Sequence, residues 1–408
     1  MKFFFNSPCY KPAVRQGGPI HSVSSLAEGL VRLGHEVVVA APNLDLGKPL
    51  EMETDRDYVI KGVRVRFFEV EPTFLQRTGI PYFSKAAIYK VGNSFHRWLE
   101  VEGRDADVFH SQITFTPENR AVSKYAFKHR KVYLYSQRGN LDPVRIRIGW
   151  LKKSAFIHFR EKAILRRADS LLALTEYERS TFRRFAPTTR VDVIPNGISL
   201  DFAKGSGFDT PSQIVGLLDR ICDLPVFFWM SRIHYTKGAD VFVESAIQSL
   251  SQGVKFHAIL AGPDEVGMEM ELKERVNDAG LSSFIHFTGP VSGEDRLALL
   301  NRADCFVLPT LSEGLSMVLL EAMACRCAIL TSPGAYFGQI EDVGAGRVVP
   351  RDIDSFSKAI NNFALEGRGY MRDLGLQGLS LVTSRYTWDK VIEKYVNLSR
   401  ELVDEKQM

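Results

Sequence analysis

The chain alternates short apolar runs with stretches of helical periodicity, and this alternation restricts the folds that it can adopt. It begins with an apolar run from Lys2 to Phe5. From Ile20 to Leu33, apolar residues recur at the spacing of a helix that is buried on one face. Gly34 ends that helix, and a Val-rich run from Glu36 to Ala40 follows. These segments predict a β-strand, a helix and a second, parallel β-strand.

The same pattern continues along the chain and restarts near its middle. In the first half, the further strand-like runs are 63–68, 108–110, 132–136, 171–174 and 191–194. In the second half they are 226–230, 257–261, 285–288, 305–308, 328–331 and 347–349. Strands that alternate with helices predict doubly wound parallel sheets. We therefore predict an α/β protein with two Rossmann-like domains that face each other across a cleft.

Turn chemistry marks the boundary between the two halves. Pro195-Asn196-Gly197 closes a strand, and the stretch from Lys204 to Thr210 is polar and rich in Gly. We predict domains at residues 1–203 and 204–385. A last helix, from Trp388 to Leu402, has apolar positions that must pack against one of them.

Composition restricts the location of the protein and its metal chemistry. The chain has 408 residues, 45% of them hydrophobic, which is enough for about two to three packed domains. No apolar run reaches the roughly 18 residues that span a bilayer, and the N-terminal run is too short for a signal peptide, so we expect a cytoplasmic protein. The five Cys residues have neither the density of a disulfide framework nor the paired spacing of a metal site.

Charge is distributed unevenly between the halves. Residues 1–200 hold 32 Lys and Arg against 20 Asp and Glu, a net +12, and the remainder holds 20 against 28, a net −8. The most basic stretch runs from Arg145 to Arg167, where Glu161 is the only acid and Trp150 and Phe159 lie among the cations. Such a stretch suits anionic lipid, a phosphate-bearing acceptor or nucleic acid, and equally a solvated helix face. We expect weak contact with an anionic membrane and no nucleic-acid partner.

Two glutamates lie in a loop and in the helix after it in the second half. Glu313 follows the apolar run Cys305 to Leu308, and Glu321 lies in the next predicted helix. Between them, Gly314 lets a ligand approach the backbone, and Ser316 is positioned to cap the helix while its N-terminus stays open to an anion. These contacts suit a polyhydroxylated, phosphate-bearing ligand. The alternative is a capping Glu and a Glu on the helix surface.

Two cations precede a helix after the first strand of the second half, in Ser231-Arg232-Ile233-His234-Tyr235-Thr236-Lys237-Gly238. Arg232 offers a planar fork, Lys237 a point charge, and Gly238 opens a helix whose N–H groups attract anions. The pattern predicts a clamp for a diphosphate, and the alternative is a pair of surface cations.

Polar side chains stand at the ends of three strands in the first half. His110, Arg138 and Thr175 each lie at or after the carboxyl end of a predicted strand, where parallel sheets bind ligands. A lone His is more often a structural residue than a catalytic one, although this position favours a site. Gly17-Gly18 lies between the first strand and the first helix. Because Gly-Gly-Pro is not Gly-x-Gly-x-x-Gly, dinucleotide binding is disfavoured.

Together these motifs resemble those of the retaining glycosyltransferases of family 4, which have two Rossmann-like domains (the GT-B architecture). The resemblance covers nearly the whole chain. It is carried by residues 17–18, 34–37, 107–110, 195–197, 261–263 and 287–291, by Arg232 with Lys237-Gly238, and by Glu313 with Glu321. The segment 136–143 is similar to one in members that build bacterial surface polysaccharides.

The resemblance implies a donor site on the second domain. Arg232 and Lys237 would hold the diphosphate, Glu321 the ribose and Glu313 the sugar ring. The other implied donor contacts are Gly17, Gly18, Gly262, Gly289, Val291, Gly314, Leu315 and Ser316. The implied catalytic residues are Glu313, Lys237, Arg232 and His110, and the implied acceptor contacts are His110, Arg138 and Thr175. The last helix, at residues 386–408, would pack back on the first domain.

The chain departs from the family pattern at three positions. Arg326 and Ala328 replace a Gly and a Pro after the second Glu, and Gln112 replaces a second His. The expected activity is transfer of a sugar from a nucleotide diphosphate to a hydroxyl of a glycan or lipid-linked glycan. A nucleotide-sugar epimerase and a non-catalytic nucleotide-sugar sensor are the alternatives.

We expect no cofactor and no metal. The candidate Asp-x-Asp pairs for a metal are those at residues 55–57 and 352–354. The first lies in a polar run and the second at a predicted helix start, so neither is expected to meet the donor. Arg232 and Lys237 would neutralise the diphosphate instead.

Overall fold

The chain divides into two compact units. The computed structural model describes residues 1–13, 18–45, 48–72, 89–147, 150–200, 214–221, 223–291 and 293–408. The first unit is Met1–Gly197 with Trp388–Met408, and the second is Ile198–Thr387. The predicted boundary at residues 203 and 204 lies outside the described residues, and the second unit begins directly after Pro195-Asn196-Gly197.

The first unit contains an eight-stranded sheet with helices on its faces and two small two-stranded sheets. Its strands are β1 (Lys2–Asn6), β2 (Glu36–Pro42), β3 (Leu44–Asp45), β4 (Lys48–Pro49), β5 (Asp57–Ile60), β6 (Val63–Phe68), β7 (Val70–Pro72), β8 (Tyr89–Val91), β9 (Val108–Gln112), β10 (Val132–Ser136), β11 (Ser170–Ala173) and β12 (Val191–Val193). Its helices are α1 (Gly18–Arg32), α2 (Asn93–Glu102), α3 (Glu118–Lys128), α4 (Pro143–Arg147), α5 (Trp150–Phe156), α6 (Lys162–Leu165) and α7 (Glu176–Phe185), with a π-helical turn at Ile157–Glu161.

The strands of this sheet are ordered β12-β11-β10-β9-β1-β2-β6-β5, and every neighbouring pair except β5 with β6 is parallel. β3 with β4 and β7 with β8 form two small antiparallel pairs. The central strand β1 is buried on both faces. Phe3 and Phe5 pack into one core and Phe4 into another on the opposite face. A strand covered on both faces has a continuous apolar sequence, which explains the run of three Phe residues.

The second unit contains a six-stranded sheet. Its strands are β13 (Val226–Met230), β14 (His257–Ala261), β15 (Ile285–Gly289), β16 (Cys305–Leu308), β17 (Ala328–Thr331) and β18 (Gly346–Val348). Its helices are α8 (Val215–Arg220), α9 (Ala239–Ser251), α10 (Met268–Asp278), α11 (Gly293–Arg302), α12 (Met317–Ala324), α13 (Gln339–Asp342) and α14 (Ile353–Arg385), with 3₁₀ turns at Tyr235–Lys237 and Pro333–Ala335. α14 is kinked at Gly367, whose φ is 82°.

The sheet order is β15-β14-β13-β16-β17-β18, and all its pairs are parallel. In order of appearance this is 3-2-1-4-5-6, the arrangement of dinucleotide-binding folds. The order reverses between β13 and β16, where ligands bind beyond the carboxyl ends of the strands. The predicted α/β class and the predicted strands are confirmed, with strand ends shifted by at most two residues.

The last helix, α15 (Trp388–Gln407), belongs to the first unit. Its apolar face contributes Val391, Ile392 and Tyr395 to the core that contains Phe3 and Phe5. Gly29 of α1 lies directly under Ile392, so a larger side chain at residue 29 would collide with it. Among the described residues, no helix combines the length and the hydropathy that crossing a bilayer requires.

Candidate functional site

The loops at the carboxyl ends of β13 and β16 carry the central pair of the candidate site. After β13 the chain makes the 3₁₀ turn Tyr235–Lys237, and Gly238 then opens α9 with a φ of 73°. A Cβ at residue 238 would collide with the carbonyl oxygen of Pro309, which follows β16. Glycine is therefore required here, because the backbone is left-handed and lies against its neighbour. This close contact joins the start of α9 to the end of β16.

Lys237 and Glu313 meet at this junction. The distance from Lys237 Nζ to Glu313 Oε1 is 2.6 Å, and the side chains are only 11% and 12% exposed. The Thr310 hydroxyl donates to the same oxygen at 3.3 Å, and the Glu313 amide donates to the carbonyl of Gly334 at 2.9 Å. The motif predicted both charged residues, and the structure brings them into direct contact.

The start of α12 lies beside this pair in the sequence. Ser316 occupies the N-cap position with extended backbone, but its side chain caps no helix N–H, so the predicted capping by Ser316 is wrong. The first turn of α12 contains no acidic residue. Because the first N–H groups of a helix lack partners within it, this end can bind an anion. The Leu315 side chain is buried, which leaves its backbone for any ligand contact.

Glu321 lies inside α12 and pairs with a cation that the motifs did not identify. Arg296 of α11 donates from Nη2 to Glu321 Oε1 at 2.9 Å. Burial raises the pKa of the Glu321 carboxyl, and the charge of Arg296 opposes this rise. The pair joins Glu321 to α11, which begins two residues after Val291, a donor contact that the resemblance implies.

Arg232 does not share the environment of Lys237. Its side chain is 57% exposed and forms an ion pair with Glu265 at 2.8 Å. The two cations of the predicted clamp thus have different partners, and a joint contact with a diphosphate stays a prediction.

The glycines of the predicted donor site differ in their surroundings. At Gly262, with a φ of 145°, a Cβ would collide with the carbonyl of Ser231, so this glycine permits close packing of the loops after β13 and β14. The Gly262 amide donates to the carbonyl of Gly289 at 2.9 Å. Val291 is partly exposed. Gly18 is exposed and begins α1, whereas Gly17 lies outside the described residues.

His110 lies beneath the surface of the first unit, with an exposed fraction of 1%. Gln112 Nε2 donates to the Nδ1 of His110 at 2.9 Å, and the Nε2 of His110 is 2.8 Å from the hydroxyl of Ser136. The Tyr395 hydroxyl of α15 lies 3.0 Å from Nδ1. Burial lowers the pKa of His110 well below its usual range, so the ring is neutral at physiological pH. Both nitrogens have partners inside the unit, and the catalytic role of His110 stays a prediction.

Arg138 is joined to His110 through Gln112. The guanidinium of Arg138 donates from Nε and Nη2 to Gln112 Oε1, at 3.1 and 2.6 Å. Its Nη1 donates to Ser22 at 2.8 Å and to Asn196 at 3.0 Å. Gln112, which replaces a His of the family pattern, therefore accepts from Arg138 and donates to His110. Burial lowers the pKa of Arg138 to about 10, and the side chain stays charged at neutral pH.

A cavity of about 20 Å³ lies among these groups, lined in part by Ser22, His110, Arg138 and Asn196. This is room for about one water molecule and not for a sugar. Thr175 is used locally, because its hydroxyl accepts from the amide of Glu178 at 3.2 Å and caps α7. An acceptor contact by Arg138 or Thr175 stays a prediction.

Both candidate Asp-x-Asp pairs have partners in the protein, and so does a third pair that was not among the candidates, at residues 105–107, where Asp107 accepts from the amide of Lys2 at 2.8 Å. Asp57 pairs with Arg66, and Asp352 caps α14 by accepting from the amide of Ser355 at 2.7 Å. Within the described ranges, no three potential ligands among His, Cys, Asp and Glu converge on one point. Arg326, where the family has Gly, lies two residues after α12 and has a φ of 63°. The turn thus keeps the left-handed backbone, at a cost of about 1 kcal/mol for a side chain.

Two family models match the chain. A glycosyl transferase 4-like domain matches residues 17–197, and a model described as glycosyl transferases group 1 matches residues 224–365. The chain belongs to this glycosyltransferase family. The predicted family membership is confirmed, and the two matches fall on the two units.

Individual relatives of this glycosyltransferase are distant. It is 27% identical to a D-inositol 3-phosphate glycosyltransferase of Salinispora tropica, over 60% of the chain and 53% of that protein. It is 31% identical to the lipopolysaccharide core biosynthesis mannosyltransferase LpcC of Rhizobium leguminosarum bv. viciae, over 49% of the chain and 55% of the relative. The chain thus spans about half the length of these two curated relatives. The structure of Anabaena HepE in complex with UDP and glucose aligns with a TM-score of 0.69 at 16% identity, covering 98% of this chain and all of that one.

Proposed function

We propose that this glycosyltransferase moves a sugar from a nucleotide-diphosphate sugar to a hydroxyl of a glycan or lipid-linked glycan, with retention at the anomeric carbon. The pathway we propose is synthesis of a bacterial cell-surface polysaccharide. The observation that carries the proposal is the buried contact of Lys237 with Glu313 at the carboxyl edge of the second sheet. The start of α9 follows Lys237 and the start of α12 follows Glu313.

The donor diphosphate would bind to Lys237 and to the N–H groups at these helix starts, with Arg232 adding a second cation. Negative charge grows on the diphosphate as its bond to the sugar breaks. A buried cation and helix N-termini stabilise that charge more than the charge of the ground state. Glu313, held by Lys237 and Thr310, would orient the sugar ring, and Glu321 would accept hydrogen bonds from the ribose.

In the proposed reaction the bond from the anomeric carbon to the diphosphate breaks, and a bond to the acceptor oxygen forms on the same face. The acceptor proton passes to an oxygen of the leaving diphosphate. No protein nucleophile is required. The electron pair of the broken bond leaves with the diphosphate. Metal-independent transfer is part of the proposal, since Lys237 and Arg232 supply positive charge at the leaving group.

The acceptor would be bound by the first unit, near Arg138. We further propose that the basic stretch from Arg145 to Arg167, of which the structure describes residues 145–147 and 150–167, brings the enzyme to the inner, anionic face of the plasma membrane, where a lipid-linked acceptor lies. Trp150, Leu151 and Phe159 are 60%, 67% and 78% exposed there. Exposed aromatic and aliphatic side chains among cations suit an anionic lipid surface.

A panel of UDP-, GDP- and ADP-sugars tests the proposal, with thermal stabilisation and slow donor hydrolysis as readouts. A bound donor stabilises the fold by mass action, by about 2.7 kcal/mol at a hundredfold excess over Kd. We expect one nucleotide class to stabilise the wild type and to be hydrolysed, and hydrolysis to be lost in Lys237→Met. Conversion of the donor to an epimer without acceptor would identify an epimerase. Binding without hydrolysis or transfer to any acceptor would identify a sensor.

A further inference from the structure

Arg296 forms an ion pair with Glu321, and the sequence motifs did not identify it. It lies on α11, and its Nη2 is 2.9 Å from Glu321 Oε1 on α12. The Glu321 side chain is 12% exposed and that of Arg296 is 32% exposed. The carboxylate is thus largely removed from water, and the guanidinium that neutralises it stands at the edge of the site.

The protonation of Glu321 depends on two opposing effects. Burial favours the neutral acid and raises the pKa of the carboxyl, whereas Arg296 favours the carboxylate. Cys325, which follows α12, is a titratable group beside this pair, and the cation of Arg326 lies near it. Burial raises the pKa of the Cys325 thiol to about 12, so it is uncharged near neutral pH. Arg296 is therefore a group whose charge favours the ionised form of Glu321.

Ionisation matters because of what Glu321 must recognise. A ribose presents two neighbouring hydroxyl donors, and a carboxylate is an acceptor with about four lone-pair sites. One bond from Arg296 leaves acceptor sites for both hydroxyls. A protonated carboxyl would lose part of this capacity and the added strength of hydrogen bonds to a charged group.

We propose that Arg296 is a positioning residue of the donor site, which holds the Glu321 carboxylate ionised and oriented to accept hydrogen bonds from the 2′- and 3′-hydroxyls of a ribose. This inference rests on the proposed function, because it requires a nucleotide whose ribose meets Glu321. It assigns Arg296 no contact with the reacting atoms.

The test compares Arg296→Met, Arg296→Lys and Arg275→Met. Arg275 pairs with Glu244 between α10 and α9, so Arg275→Met removes a similar Arg–Glu pair elsewhere in the same unit. Dissociation constants are measured for UDP, GDP and ADP and for their 2′-deoxy counterparts, between pH 5.5 and 8.5. Each constant is divided by the wild-type value at the same pH, which removes the titration of the nucleotide itself.

We expect Arg296→Met to weaken binding of the preferred ribonucleotide about 10- to 100-fold near pH 6.5, as expected for loss of a hydrogen bond to a charged group. Because Glu321 then ionises at higher pH, the loss should shrink as pH rises. The preference for the ribonucleotide over its 2′-deoxy form should fall in the same variant. Arg296→Lys keeps a positive charge and should retain most of the affinity, and Arg275→Met should bind as the wild type does.

The inference is overturned if Arg296→Met and Arg296→Lys match Arg275→Met in affinity, in ribose preference and in pH profile while the wild type binds. A pH-independent loss that Arg296→Lys does not restore would also overturn it, since that result indicates a structural role. Failure of the wild type to bind any of the six nucleotides would instead contradict the proposed function. Circular dichroism of each variant establishes that it is folded.

Discussion

Lys237 and Glu313 form one buried ion pair, with 2.6 Å between Nζ and Oε1, although 76 residues separate them. The contact exists because β13 and β16 are neighbours in the sheet and each residue lies in the loop after its strand. Breaking a buried pair leaves an uncompensated charge, which costs more than the pair itself contributes. Removal of either residue alone should therefore also destabilise the loops that hold the pair.

We predict that Lys237→Met reduces both turnover and stability. Loss of the cation at the leaving diphosphate should lower kcat about 100- to 1000-fold. The unpaired Glu313 should lower the free energy of unfolding by about 3–5 kcal/mol. Initial rates and urea denaturation measure the two effects.

The double variant Lys237→Met with Glu313→Gln separates these effects. It removes both charges, so most of the lost stability should return while turnover stays low. A double variant that regains wild-type kcat would contradict the proposed role of the cation. A single variant as stable as the wild type would contradict the coupling of the buried pair.

We predict that Glu321→Ala and Glu313→Ala have different kinetic effects. A residue at the ribose binds the ground state and the transition state alike, so Glu321→Ala should raise the donor KM and the nucleotide Kd. A residue at the sugar ring contacts the carbon that reacts, so Glu313→Ala should mainly lower kcat. Steady-state kinetics with isothermal titration of the nucleotide distinguishes them. Unaltered nucleotide affinity in Glu321→Ala would make the ribose assignment wrong.

The strands that the sequence predicted were recognisable because most of them are buried on both faces and are therefore continuous apolar runs, such as Val226 to Met230. The strands β3, β4, β5, β7 and β8, which form antiparallel pairs, were not predicted. Lys237 and Glu313 could be named from motif spacing, but their contact could not, because it depends on strand order. The same holds for His110, which is enclosed partly by Tyr395, 285 residues later in the chain. Sequence spacing carries no information on such distant partners.

The ion pairs of Arg232 and Arg296 show the same limit. Arg232 was singled out by its motif, yet its partner Glu265 lies beyond the next strand. Arg296 belongs to no motif, and its pairing with Glu321 depends on where the folded unit places α11 and α12. The sequence contains one indication of a role for Arg296. It lies in the helix directly after Gly289 and Val291, which the resemblance assigns to the nucleotide.

We predict that transfer continues in excess EDTA. Lys237 and the helix starts supply positive potential at the proposed diphosphate position. In the two candidate Asp-x-Asp segments, Asp57 is paired with Arg66 and Asp352 caps α14. Initial rates in EDTA should stay within about twofold of those with added Mg²⁺, since no step of the proposed reaction needs the ion. Complete loss of activity in EDTA that Mg²⁺ or Mn²⁺ restores would contradict metal-independent transfer.

We predict that Glu161 makes the first unit less stable as pH rises. Burial raises the pKa of Glu161 to about 7, while Tyr135 and the amide of Phe115 donate to it. The folded protein keeps a proton that the unfolded chain releases near pH 4.5. The resulting stabilisation is complete below that pH and is lost as pH rises through 7. It amounts to about 3 kcal/mol.

Glu161→Gln removes this titration and retains an oxygen for the amide of Phe115. Its free energy of unfolding, from urea denaturation at pH 5 and pH 8, should change by about 2.5 kcal/mol less than that of the wild type, because at pH 5 the unfolded carboxyl is already mostly ionised. Glu178, whose pKa burial also raises to about 7, remains as a shared background in both proteins. Parallel profiles of the two proteins would show that Glu161 is already ionised in the folded state.

We predict that the surface from Arg145 to Arg167 binds anionic vesicles through both charge and apolar insertion. Trp150 and Phe159 are exposed among cations, and each cation near the surface contributes about 1 kcal/mol. The double variant Trp150→Ala with Phe159→Ala should lose most co-sedimentation with anionic vesicles, while Leu365→Ala, equally exposed on the second unit, should not.

Charge reversal at the exposed Arg147 and Arg166 should abolish binding at low salt, where electrostatic attraction is strongest. Equal binding of the wild type to neutral and anionic vesicles at low salt would exclude electrostatic attachment, and unchanged binding of the aromatic variant would exclude insertion.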